Sequence, residues 1–141
     1  MSTWIRSQQP DPVSGSIGPL QLAWIGDAVW ELHQRLRLGR APGKADALHK
    51  AVVAVVRADA QAEALERLEP FLDATEQDLI RRGRNSAGRG PRRADAAIYG
   101  KATGFETMVG WLFLNNPARL ADLFDHLENA GATSPTSPPN P

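Results

Sequence analysis

The 141-residue chain contains no cysteine, which excludes disulfides and thiolate metal sites and agrees with a reducing compartment. It has three histidines, His33, His49 and His126, and no two of them share the close spacing that zinc sites use. No apolar run approaches the roughly 20 residues needed to cross a bilayer, so no membrane partner is expected. The opening MSTWIRSQQPDP lacks the apolar centre of a secretory signal, and the expected location is the cytoplasm. There is also no excess of charge of either sign, since 16 basic residues balance 16 acidic ones. Taken alone, that balance argues against a nucleic-acid partner.

The distribution of charge says otherwise. Between Leu79 and Ala94 stand six arginines, Arg81, Arg82, Arg84, Arg89, Arg92 and Arg93, with no acid among them. The rest of the chain carries 10 basic against 16 acidic residues, so one cationic segment sits on an anionic body. Arginine outnumbers lysine 13 to 3, and its planar fork suits bidentate phosphate contact. Three glycines and a proline between Gly83 and Arg93 predict an irregular loop able to follow a groove or a phosphate backbone. A solvated charged loop is the plainer alternative, weakened by the absence of any acid.

The remaining 42% hydrophobic and 23% charged content suits one globular domain with its own core. Residues 1–16 show no period and read as a flexible N-terminal arm. From Ile17 or Pro19 to Leu38, the residues Leu22, Ile25, Val29, Leu32 and Leu36 recur at helical spacing. Further helices are expected over 44–57, 60–68, about 75–84, 96–114 and 118–129. Asp59, Asp95 and the Thr75 step are the expected helix starts. The run AVVAVV has strand propensity, but its length and alanine-rich flanks favour a helix. The tail 132–141 holds four prolines and reads as disordered. The expectation is an all-α domain of about six helices over 17–131.

Two acids interrupt apolar helices. Asp27 follows Gly26 inside LQLAWIGDAVWELHQRLRL, about 200° around the helix from Ile25. Glycine within a helix costs about 1 kcal/mol relative to alanine, and close approach of another backbone is the usual compensation. Spacing alone reads Asp27 first as a solvated acid on an exposed face, with Glu31 one turn later. Glu106 lies in KATGFETMVGWLFL, with Thr103 one turn before it and Gly104 and Gly110 around it. If the two helices cross at their glycines, Asp27 and Glu106 converge. Such a pair needs a hard cation, Mg²⁺ or Mn²⁺. Two unrelated surface acids remain the alternative, and spacing does not decide. His49-Lys50 is uninformative by itself; a partly buried, hydrogen-bonded histidine is the default reading.

At these residues the chain resembles a known family. Ala23-Trp24-Ile25-Gly26-Asp27-Ala28-Val29 resembles the signature helix of ribonuclease III domains, whose Gly-Asp step supplies a catalytic carboxylate. Phe105-Glu106-Thr107-Met108-Val109-Gly110 is similar to that family's second carboxylate helix. The order is that of the short Mini-ribonuclease III subfamily: the Ile-Gly-Asp-Ala helix with a glutamate one turn on, Leu48-His49-Lys50, Arg82-Gly83-Arg84-Asn85, then Phe-Glu. The resemblance implies a ribonuclease III-like helical domain forming a two-fold homodimer, with Trp24, Val29 and Trp30 as candidate interface residues. It implies an endoribonuclease that cleaves double-stranded RNA, with Asp27 and Glu106 as catalytic metal ligands for Mg²⁺, or Mn²⁺ as a substitute. RNA contact falls to Arg81, Arg82, Arg84, Asn85, Arg89, Arg92, Arg93, His49 and Lys50. Precursor ribosomal RNA of the large subunit (23S) is the implied substrate. The chain is too short for the separate double-stranded-RNA-binding domain of the larger enzymes, so the grip on RNA is expected from the helical domain itself. Larger relatives carry further carboxylates where this chain has Leu20, Ala23 and Thr103; the Mini subfamily shares such replacements. The rival is a non-catalytic double-stranded-RNA-binding protein of the same fold, which retention of both carboxylates disfavours.

Overall fold

The computed structural model describes residues 2–12, 17–40, 42–90 and 95–132, with residues 130–132 described by their backbone alone. The helices are α1 (Thr3–Arg6), α2 (Pro19–Leu38), α3 (Ala45–Val56), α4 (Ala58–Leu68), α5 (Ala74–Ser86), α6 (Ala96–Asn115) and α7 (Pro117–Ala132). A short 3₁₀ turn, Glu69–Phe71, joins α4 to α5, and no strand occurs among the described residues. The tail 133–141 lies outside the described residues.

α6 is the axis of the domain. It is apolar nearly all round, as a helix packed on every side must be. Phe105, Met108 and Val109 are fully buried, and α2, α4 and α5 lie against it. Trp30 of α2 meets Phe105 edge-on at 5.1 Å and Phe124 of α7 at 5.2 Å, and its indole N–H donates to the Val55 carbonyl at 2.9 Å. That hydrogen bond satisfies the polar end of a large buried aromatic and fastens α3 to α2.

Glycines allow the helices to approach α6 closely. A Cβ on Gly26 would fall 2.7 Å from the Glu106 carbonyl carbon and 2.9 Å from the Gly110 amide nitrogen. One on Gly110 would lie 2.9 Å from the Leu22 carbonyl carbon. α2 and α6 therefore touch main chain to main chain. α5 makes a second crossing, where a Cβ on Gly104 would fall 2.7 Å from the Ile80 carbonyl oxygen.

Four expectations need correction. Gly83 to Ser86 continue α5 rather than opening a loop, because Gly83 is spent on the close approach to Gly104 and Thr107. The cap of α5 is Asp73, not the Thr75 step: its carboxylate accepts from the Glu76 N–H at 2.8 Å, and Glu76 accepts from the Asp73 N–H at 2.9 Å. Glu76 is 1% exposed and receives a bidentate pair from Arg119 at 2.7 and 2.8 Å. Asp59 stands inside the first turn of α4 rather than before it. Residues 2–12 pack instead of forming a loose arm. Ile5 is fully buried, the Trp4 indole donates to His33 Nδ1 at 3.0 Å, and Arg6 reaches Asp122 and Asp125 of α7 at 3.0 Å each. Too short for a period, this segment is ordered by tertiary contacts that spacing does not reveal.

Candidate functional site: a carboxylate pair at the α2–α6 crossing

The Gly26–Gly110 crossing sets the site. Asp27 follows Gly26 on α2, and the backbone that Gly26 abuts is that of Glu106 on α6. The two acids are therefore neighbours. Asp27 is exposed and Glu106 is half-buried. Burial is the largest influence on Glu106 and pushes its carboxyl up; the adjacent Asp27 carboxylate pushes it further, to about 8. Two acids set side by side at a helix crossing form a site short of positive charge.

A third residue completes the arrangement. Gln61 of α4 is 2% exposed, and its Nε2 donates to Glu106 Oε2 at 3.2 Å and to the Val56 carbonyl at 3.2 Å. That contact acts on Glu106 against burial and Asp27, favouring the ionised form. Sequence reasoning passed over Gln61. The signal was available: Gln61, Leu65 and Leu68 lie on one helical face, and the latter two face the core. An amide in that row calls for a buried acceptor.

Leu20, Ala23 and Thr103 add no carboxylate to the pair. Leu20 is exposed, Ala23 is buried, and the buried Thr103 hydroxyl donates within its own helix to the Tyr99 carbonyl at 3.0 Å. Glu31 pairs with Arg35 at 2.9 Å. Among the described residues no group of three or more His, Cys, Asp or Glu forms a metal cage. The donors here are two carboxylates, a set that fits a hard divalent ion keeping several waters.

The basic residues fall in two places. Arg81, Arg82, Arg84 and Asn85 are exposed on the last turns of α5, and Arg89 is exposed in the turn beyond. Arg81 is taken up by Asp78, whereas Arg82, Arg84 and Arg89 form no ion pair with described residues. Arg84 packs by its Cγ near Gly104, two residues before Glu106, so the arginine helix and the carboxylate helix are clamped together. Arg92 and Arg93 lie outside the described residues. His49 and Lys50 are exposed on α3, so His49 is not the half-buried residue expected by default.

Of the proposed interface residues, Trp24 is 79% exposed. Val29 and Trp30 are 6% and 5% exposed and belong to this chain's own core, so they present no surface to a second copy. The helix carries apolar residues on two faces, and periodicity did not tell which face met which partner. Leu20 and Leu32, one turn before Trp24 and two turns after it, are also exposed.

A cavity of about 700 Å³ opens between α2, α3, α4 and α7, lined in part by Trp30, Arg37, Ala64, Arg67 and Glu128. Neither acid of the pair lines it. Its arginines are engaged, Arg37 by Gln34 at 2.7 Å and Arg67 by the Leu127 carbonyl at 3.2 Å. No described helix is long and apolar enough to cross a membrane.

Comparison with known proteins agrees with this geometry. Residues 20–117 match the family described as the ribonuclease III domain. The chain is 47% identical to a Mini-ribonuclease 3 of Synechococcus over 79% of its length and 80% of the relative's. It is 45% identical to a Mini-ribonuclease 3 of Gloeobacter violaceus over 89% and 98% of the two chains. A crystal structure of a Fusobacterium nucleatum protein superposes with a TM-score of 0.72 at 27% identity, covering 82% of this chain and 88% of that one. The match spans α2 to the start of α7, and so takes in both carboxylates and the arginine helix between them. The chain belongs to the ribonuclease III family of endoribonucleases, within its Mini-ribonuclease 3 branch.

Proposed function

We propose that this endoribonuclease cleaves double-stranded RNA as a two-fold homodimer, using a divalent cation, Mg²⁺ or Mn²⁺, held by Asp27 and Glu106. The observation that carries the reading is the pair itself: two carboxyls from different helices, brought together by main-chain packing and without a cationic partner among the described residues. A cation bound there supplies charge neutralisation at the scissile phosphate and lowers the pKa of its water. Asp27 and Glu106 hold that cation; Gln61 takes up one oxygen of Glu106.

Arg82, Arg84 and Arg89 supply exposed guanidinium groups for backbone phosphates. A-form RNA is recognised by shape, phosphate and 2′-hydroxyl contacts, so the segment has no need to read bases. Leu20, Trp24 and Leu32 form an exposed apolar row on α2, and a row of that kind suits an interface with a second copy. Trp24 and Asp27 lie on the same helix, so pairing through Trp24 sets two carboxylate pairs near a two-fold axis, one for each RNA strand. Precursor 23S ribosomal RNA is the proposed substrate and the cytoplasm the proposed location, both resting on kinship with Mini-ribonuclease 3.

The test is cleavage of a labelled RNA duplex with and without Mg²⁺. Asp27→Asn and Glu106→Gln should each abolish Mg²⁺-dependent cutting while RNA binding persists. Cutting at the native rate by either variant refutes the assignment. The missing third carboxylate at Leu20, Ala23 and Thr103 keeps one rival in view, a non-catalytic double-stranded-RNA-binding protein; binding without any cutting by the unaltered protein would decide for it.

A further inference from the structure

Gln61 is the least expected polar residue of the domain. It lies at the α4–α6 contact, 2% exposed, on the helix face that otherwise carries Leu65 and Leu68. Its single amide nitrogen has two acceptors, Glu106 Oε2 and the carbonyl of Val56, each at 3.2 Å. An amide has two N–H donors, and both are used here. The reverse orientation would set the amide oxygen against a carboxylate and a carbonyl, so the network determines which way the group points. Val56 ends α3, where the last carbonyls of a helix lack intrahelical partners. Gln61 therefore has a backbone anchor at one side and a functional carboxylate at the other.

We propose that Gln61 is the positioning residue of the carboxylate pair, fixing the Glu106 carboxylate in the orientation in which it and Asp27 hold a divalent cation. This rests on the function proposed above. The terminal torsion of a glutamate is broad, and an unanchored carboxylate swings freely. A buried, uncharged donor on one oxygen removes that freedom without neutralising the charge that a cation needs. Outer partners of ligating carboxylates commonly change metal affinity by 10- to 100-fold, the scale expected here. The same amide joins the α3–α4 junction to α6, so the end of α3 and the site keep one spacing.

The test uses the full chain. Gln61→Met keeps the length and linear shape of the side chain and removes the donors. Mn²⁺ binding is read by electron paramagnetic resonance without RNA, and cleavage is followed against Mg²⁺ concentration with kcat and KM separated. We expect Mn²⁺ binding weakened about tenfold or more, a Mg²⁺ midpoint raised to match, and KM for RNA unchanged. Excess Mg²⁺ should restore most of kcat. A folded variant with native Mn²⁺ affinity and a native Mg²⁺ midpoint overturns the proposal, even if it melts earlier, because that is the signature of a packing role alone. Should Gln61→Met not fold, Gln61→Asn, whose amide falls a methylene short of Glu106, decides by the same readouts. Absence of both Mn²⁺ binding and cleavage in the unaltered protein overturns the metal-site reading itself, an outcome distinct from failure of the Gln61 role.

Discussion

Replacing Gly26 with alanine tests the geometry at its origin. The added methyl carbon would lie 2.7 Å from the Glu106 carbonyl carbon and 2.9 Å from the Gly110 nitrogen, against 3.4–4 Å for ordinary contact. The Glu106 carbonyl oxygen lies closer still; these are backbone atoms and cannot rotate aside, so α2 and α6 must separate by about an ångström. Overpacking of this kind costs about 3 kcal/mol, at the upper end of the usual range, because no side chain can yield. Alanine recovers about 1 kcal/mol of helix propensity, leaving a net loss of about 2 kcal/mol. For a chain of this size the melting temperature should fall by roughly 8 °C. Cleavage should suffer more than stability, since a misplacement near 1 Å at a reacting centre costs about 10²-fold in rate. The assay is thermal unfolding by circular dichroism beside single-turnover cleavage at a temperature where the variant is folded. Gly100→Ala on α6 is the control, since no described atom lies within 4 Å of its Cβ position, and it should melt at or above the native temperature. A Gly26→Ala variant that melts within about 2 °C of native and cuts within about twofold would refute the close-approach argument.

Three further perturbations follow from the structure. Changing Arg82, Arg84 and Arg89 together to alanine should weaken duplex binding and lower the salt slope by about one per lost phosphate contact, read from titrations at several salt concentrations; an unchanged slope would make the segment a solvated helix end. Trp24→Glu should turn a dimer into a folded monomer by sedimentation equilibrium, with native helicity retained; a persistent dimer would remove α2 from the interface. His33 is fully buried, and burial, helped by the charge of Arg37, depresses its pKa from 6.5 to about 4. The unfolded chain therefore binds the proton first: this contribution is complete above about pH 6.5 and is lost as pH falls through 4, worth on the order of 3 kcal/mol. Urea unfolding across that window should show an acid decline that His33→Gln flattens, and parallel profiles would count against it.

Sequence carried the helices and the two acids because periodicity and punctuation are local. α2, α3, α6 and α7 lie close to their expected bounds. What it missed depended on partners distant in the chain. Gly83 looked like the start of a loop, since a glycine among arginines carries the same mark whether it bends the chain or admits a neighbouring helix. Val29 and Trp30 looked free for a partner, since one helix offers apolar residues to two sides and only the packed structure says which is already taken. Trp4 and Ile5 form too short a run to show a period, yet His33 and α7 hold them. Gln61 is an ordinary residue in an alanine-rich helix until Glu106, 45 positions away, is set beside it.

The contact between α2 and α6 is made by main chain on both sides, and this bears on how the protein can change over time. Side chains elsewhere can be exchanged, the surface recharged and the loops lengthened without altering the spacing of the two helix backbones beneath the carboxylates, because no side chain sets it. Innovation in substrate choice is then free to accumulate on α3, on the arginine helix and on the exposed row of α2. The crossing itself admits no gradual variation, since the smallest possible addition at Gly26 or Gly110 already collides with backbone. Such a domain would diversify at its rim and stand still at its centre.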